Sequence, residues 1–225
     1  GTQHAVIRYY SKYNKKREKD GLLTISVLIP LIIILLFVPI FFAFYDDIKS
    51  YLFQSNETLS KYVYVIIYIA ISTSFFEIFY SWLRVKLKSV FGNFLKELYP
   101  RLLISFLLIS YSAGVINFEK FIMFLIYGYY LRLIIVVIYS FYIIKPKINF
   151  SFKEDFGEIF KYCILIFLSG AASSIILDID KSMLSSILTV ENVAYYSVAV
   201  FIAAVIEIPG RAMFQILSPV VADAI

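Results

Sequence analysis

Apolar residues gather along this chain into six long runs separated by short charged segments. Crossing the roughly 30 Å hydrocarbon layer of a membrane takes about 20 apolar residues in helical form. Six runs approach that length: 22–44, 62–83, 100–116, 118–144, 159–177 and 193–221. The first contains Pro30 and Pro39, which membrane helices tolerate as kinks when neighbours satisfy the freed carbonyls. The third is short and opens on Pro100, a residue suited to the first helical turn. A tight turn at Asn117, Phe118 and Glu119 leads into the fourth, which carries Arg132 near its midpoint. Hydropathy ends the fifth run at Leu177, but helical periodicity can continue to Leu188 through Asp178, Asp180 and Lys181. The pattern predicts an all-α polytopic membrane protein with six transmembrane helices. Residues 4–10 read as the end of an earlier helix entering a basic loop.

Positive charge falls on every second segment between these runs. Six Lys and Arg precede the first run, two follow it, then five, one and four, and only Lys181 lies between the last two. Cytoplasmic loops retain Lys and Arg because translocating them is unfavourable, so the first, third and fifth segments should face the cytoplasm. Both ends of the chain then lie on the cytoplasmic side. Glu77 falls in the cytoplasmic half of the second run. The most polar break in the second half, 145–158, has Pro146, three bases and three acids before the next run. It is the natural linker between a first bundle, 1–144, and a second, 159–225.

Composition agrees with the class. The chain is 61% hydrophobic and 16% charged with a mean hydropathy of +0.83, too apolar for a soluble domain. Its net charge of +5 sits on membrane-flanking loops, where orientation and anionic headgroups account for it. Nucleic acid is not an expected partner, since no basic groove-binding motif is present. Cys163 is the single cysteine and forms no intrachain disulfide. Abundant Tyr and Phe accompany abundant Ile and Lys, which points to compositional bias rather than an aromatic binding lattice. The chain begins Gly1-Thr2-Gln3 and ends Ala224-Ile225 directly after an apolar run, as expected of an internal piece of a longer protein.

Candidate chemistry is confined to charges within the runs, each costing about 2.5–3.5 kcal/mol at a bilayer centre on insertion scales. Arg132 and Glu207 fall at the middle of theirs. Glu207 and Arg211 are four apart on one helical face, flanking Pro209 and Gly210. They form either an internal pair that neutralises itself or the polar lining of a cavity beside a broken helix. Asp178, Asp180 and Lys181 are either a solvated outer loop or, in a continued helix, a charged face above the small residues Ser169 to Ser174. One His and one Cys leave no metal cluster and no nucleophile–base pair. No phosphate-cradling glycine loop is present. Asp178-Ile179-Asp180 and Asp46-Asp47 are weak glycosyltransferase-like signals, and Asn56-Glu57-Thr58 is a sequon relevant only to a eukaryotic secretory pathway. No cofactor is expected.

Two stretches resemble lipid-linked oligosaccharide flippases, the O-antigen or polysaccharide-biosynthesis branch of the multidrug/oligosaccharidyl-lipid/polysaccharide superfamily. Ala5-Val6-Ile7-Arg8-Tyr9-Tyr10-Ser11-Lys12-Tyr13 is similar to the cytoplasmic end of the family's second helix. Asp180-Lys181-Ser182-Met183-Leu184, followed by Val190-Glu191-Asn192-Val193-Ala194-Tyr195-Tyr196-Ser197-Val198-Ala199, is similar to its seventh helix and the opening of its eighth. Pro219 matches a proline near that helix's end, while Ala194 stands where glycine is usual. The resemblance implies helices three to eight of a two-lobe, MATE-like bundle, and it favours continuation of the fifth helix to Leu188. It implies alternating access and an undecaprenyl-diphosphate-linked oligosaccharide as substrate, moved to the outer leaflet of the bacterial cytoplasmic membrane. A desolvated diphosphate needs cations, and Arg binds it bidentately. The implied anion contacts are Arg132, Lys181 and Arg211. Asp180, Glu207 and Glu77 are the implied charge partners or coupling groups for H⁺ or Na⁺. The bilayer is an expected partner, and polysaccharide polymerase machinery a further candidate.

Other readings compete. A cation-coupled multidrug exporter of the same fold would prefer carboxylates and aromatics in its cavity. A membrane-embedded sugar polymerase or glycosyltransferase would prefer a large extracytoplasmic loop, and the outer segments here are short. A structural membrane subunit would lack a second lobe. An enzyme is not the expectation.

Overall fold

The computed structural model describes residues 1–13, 15–47, 61–149, 156–187 and 190–206, and these are helical apart from turns and one non-helical segment. The helices are α1 (Thr2–Tyr10), α2 (Lys16–Ala43), α3 (Tyr64–Val85), α4 (Ser89–Asn93), α5 (Tyr99–Ser112), α6 (Phe118–Ile144), α7 (Phe156–Ile187) and α8 (Val190–Ile206). A π-helical turn, Phe94–Leu98, joins α4 to α5. The chain is an all-α polytopic membrane protein. Among the described residues, α2, α3, α6 and the 156–176 part of α7 are long and apolar enough to span.

Six spans were expected; one of the corresponding helices is shorter and another is described only in part. α8 is described over 17 residues, and the rest of the sixth run lies outside the described residues. α5 has 14 residues and stops at Ser112 rather than at Ile116. The reason is Gly114, whose φ of +72° permits a left-handed closing turn. There the Val115 N–H donates to the Ser110 carbonyl and the Gly114 N–H to the Tyr111 carbonyl, both at 3.0 Å. This crossed pair satisfies the carbonyls of the last turn. At its other end α5 continues through the π turn into α4, so the chain is helical from 89 to 112.

Two compact units divide the chain, 1–166 and 167–225. In the first, side-chain contacts reveal how the passes alternate. Ser72 of α3 meets Tyr129 of α6, and Ser140 of α6 meets Phe79 of α3, offsets of 57 and 61 in number. A nearly constant offset means that α3 and α6 run parallel. α5 runs against α6: Tyr99 meets Gly128 at one end, and Tyr111 meets Phe121 at the other. This is the up-and-down order expected of consecutive membrane passes.

The core of this unit gathers toward the ends where α1 and α2 meet and α3 and α6 finish. Ala5, Val6, Tyr9 and Tyr10 form one buried stripe on α1, at the spacing of a helix face. They pack with Leu22, Leu23, Phe76, Ile78, Trp82, Leu83 and Val136, and with Ile159 and Cys163 of α7. Trp82 Nε1 donates to Ser26 Oγ at 3.1 Å, and Ser26 Oγ donates to the Leu23 carbonyl at 2.7 Å. Along α2 beyond Pro30, by contrast, Ile33, Leu35, Leu36 and Phe37 are all more than half exposed. A row of that kind suits lipid, not water. α2 remains helical through both prolines.

Lys145 ends α6 in a left-handed conformation, φ 45°, with its N–H donating to the Phe141 carbonyl at 3.1 Å. Residues 146–149 then continue outside any helix. In the second unit, α7 continues as one helix through Asp178, Asp180 and Lys181 to Ile187. The longer of the two readings of the fifth run is therefore the observed one.

Candidate functional site

Three helices of the first unit place a charged cluster within the span. α6 supplies Arg132, twelve residues from its end, or about 18 Å of helix at 1.5 Å per residue. α3 supplies Glu77, and the π turn supplies Lys96.

Arg132 is 4% exposed. Its guanidinium lies over the Phe76 ring, 4.2 Å from the centroid, and over the Tyr129 ring at 4.8 Å. A desolvated cation–π contact stabilises by about 2 kcal/mol, so the two rings offset part of the burial cost. They do not satisfy hydrogen bonds. Nε and Nη2 are buried and have no acceptor among the described residues. Each such donor costs about 1–3 kcal/mol. Arg132 thus holds hydrogen-bonding capacity in reserve, on the edge of the guanidinium suited to an oxyanion.

Glu77 carries a balancing negative charge. Its Oε1 pairs with Lys96 Nζ at 2.7 Å, both side chains being partly buried. Glu77, Tyr99 and Tyr129 all act electrostatically on Arg132. The Glu77 carboxylate is thus bonded to Lys96 and adds an attractive charge for Arg132. Lys96 also lies over the Tyr80 ring at 5.4 Å, and Tyr80 OH donates to Asn93 Oδ1. That hydrogen bond and the Glu77 pair tie α4 and the π turn to α3.

The remaining polar groups here are internally satisfied. Ser72 Oγ donates to the Tyr129 carbonyl at 2.8 Å, Tyr99 OH to the Gly128 carbonyl at 3.0 Å, and Ser140 Oγ to the Phe79 carbonyl at 3.0 Å. These bonds fix α3, α5 and α6 around Arg132. Against that background the unpartnered edge of Arg132 stands out as the group that can receive a ligand.

Of the sequence-derived residues, the structure describes Arg132 and Glu77 in the first unit, with Arg132 over the ring of Phe76, the residue next to Glu77 on α3. It adds Lys96 and Tyr99, which the sequence reading did not single out. Asp180 lies in the second unit, where its Oδ2 accepts from Tyr196 OH at 3.3 Å. Lys181 lies on the same helix. Glu207 and Arg211 lie outside the described residues. Among the described residues no group of three His, Cys, Asp or Glu is placed to hold a metal ion.

A family model described as "Polysaccharide biosynthesis protein" matches residues 1–224. No curated protein and no solved structure matches the chain.

Proposed function

Because this multi-pass membrane chain belongs to the polysaccharide biosynthesis protein family, we propose that it serves that biosynthesis as a flippase. In this reading it moves an undecaprenyl-diphosphate-linked oligosaccharide from the inner to the outer leaflet of the bacterial cytoplasmic membrane. It does so by alternating access, and no bond of the substrate is broken. The observation that carries the reading is Arg132, a mid-span cation with two buried, unpartnered N–H groups. Intramembrane ionisable residues mark substrate or ion pathways as their default role. A diphosphate offers the paired acceptor oxygens that a guanidinium binds best.

Contact with substrate requires a displacement that uncovers Arg132, and the shared carboxylate supplies a means. An anion arriving at Arg132 competes with Glu77, whose pairing with Lys96 absorbs the displaced carboxylate charge. Lys181 and Arg211 are the further anion contacts of this reading. Asp180, Glu207 and Glu77 are its charge partners or coupling groups for H⁺ or Na⁺. The basic segments face the cytoplasm, and polymerase machinery receives the flipped unit.

The test is flipping of a fluorescent undecaprenyl-diphosphate sugar by the full-length parent protein in proteoliposomes. Arg132→Ala is expected to slow it about tenfold or more, the scale of a lost charge-assisted hydrogen bond. Arg132→Lys should recover only part, since a point charge does not bind bidentately. Unchanged flipping by a folded Arg132→Ala protein overturns the assignment. Export of organic cations in place of the lipid-linked sugar would establish the multidrug reading instead.

A further inference from the structure

A second basic site lies apart from Arg132, at the membrane face where α2 begins and α6 ends. A cavity of about 350 Å³ opens there, lined by Lys16, Arg17 and Asp20 of α2 and by Lys147, Ile148 and Asn149 beyond α6. Its size falls within the range of ordinary ligand sites, about 300–1,000 Å³. Three cations and one carboxylate leave it with a net charge of +2.

The cavity is built by specific contacts. The left-handed Lys145 turns the chain off the end of α6. Asn149 then fastens this segment to α2: its Nδ2 donates to the Arg17 carbonyl at 2.7 Å and its N–H to Thr24 Oγ1 at 3.3 Å. Thr24 Oγ1 in turn donates to the Asp20 carbonyl at 2.8 Å. Asp20 is 6% exposed, while Lys16, Arg17 and Lys147 stand exposed around it. Orientation in the membrane accounts for bases on this face. It does not account for an open cavity that draws three of them from two distant stretches of chain.

We propose that this cavity binds the phosphate of an anionic membrane lipid in the adjoining leaflet. Basic pockets between spanning helices are a recurrent setting for such headgroups. The lining ends at two helix termini that meet the lipid surface, so a headgroup reaches it without leaving the bilayer. Ile148 is 79% exposed and offers an apolar contact to the glycerol and upper acyl chains. Lys16 and Lys147 supply charge from two separate stretches of the lining, and Asn149 ties those stretches together. The site is independent of the transport reading, because none of its residues belongs to the Arg132 cluster.

The experiment uses the full-length parent protein in nanodiscs of phosphatidylcholine with graded phosphatidylglycerol, read by lipids retained in native mass spectrometry and by the unfolding midpoint. Inorganic phosphate and glycerol 3-phosphate added to phosphatidylcholine nanodiscs form the second arm. Phosphatidylglycerol should be retained and raise the midpoint, and Lys16→Gln with Lys147→Gln should weaken its apparent affinity roughly thirtyfold. Free phosphates should leave the midpoint unchanged. Equal phosphatidylglycerol retention by wild type and variant overturns the proposal. An equal response to free phosphate overturns its lipid source. Lys147→Gln alone, on an exposed non-helical segment, repeats the comparison if the double variant does not fold.

Discussion

Arg132 is balanced by groups of two kinds, and they differ in what they can give. The Phe76 and Tyr129 rings supply attraction without accepting hydrogen bonds, Glu77 supplies charge at a distance, and no group among the described residues accepts from Nε or Nη2. A residue held this way contributes little to folding. Replacing a buried ionic group by apolar packing is often neutral or stabilising, provided that no partner charge is left uncompensated. Here Glu77 keeps Lys96 when Arg132 is gone. Arg132→Met is therefore expected to unfold within about 1 kcal/mol of wild type, or above it, in thermal denaturation of the detergent-solubilised protein. A loss of several kcal/mol would make Arg132 a structural strut. Arg132 and Glu77 were legible in the sequence because a charge inside an apolar run announces itself. Lys96 was not. It is distant from Glu77 along the chain, and only the fold around the π turn brings its ammonium inward.

At the scale of elements, the fourth run of apolar residues reproduced its helix from Phe118 to Ile144, because both ends carry local signals. Asn117 caps the start, its side chain accepting from the Lys120 N–H at 3.0 Å, and Lys145 turns off the end. α2 begins a turn and a half before its apolar run, since its first turns are basic and hydropathy does not count them. The π turn was not legible at all, as Phe94–Leu98 has no composition that marks it. Packing between α5 and α6 depends on Gly128, where an added Cβ would run into the side chain of Leu103. Gly128→Ala should lower the unfolding midpoint by an amount corresponding to about 1–3 kcal/mol. Adding Leu103→Ala removes the obstructing atoms and should recover much of that loss. A double variant no better than Gly128→Ala would show that the two helices meet differently.

For the molecule as a whole, the alternating bases and the antiparallel contacts are independent routes to one topology. The turn after α3 and the turn after α5 then lie on opposite sides of the membrane. In the full-length parent with Cys163→Ser, a cysteine at Gly114 should react with an impermeant maleimide in intact cells. A cysteine at Leu87 should react only after permeabilisation. The reverse pattern inverts the orientation. Class and pass order could be read from the sequence since lipid imposes them on every segment. Charge pairing could not, because it arises where segments meet.

The two rings over Arg132 have one more consequence, and it concerns birth rather than folding. Phe76 belongs to α3 and Tyr129 to α6 itself. Synthesis delivers α3 to the bilayer first. When α6 emerges with a cation at its centre, it meets a neighbour already in place that presents an aromatic face. The order of the genetic message thus spares this arginine a solitary passage through lipid, and the earlier helix serves as its chaperone.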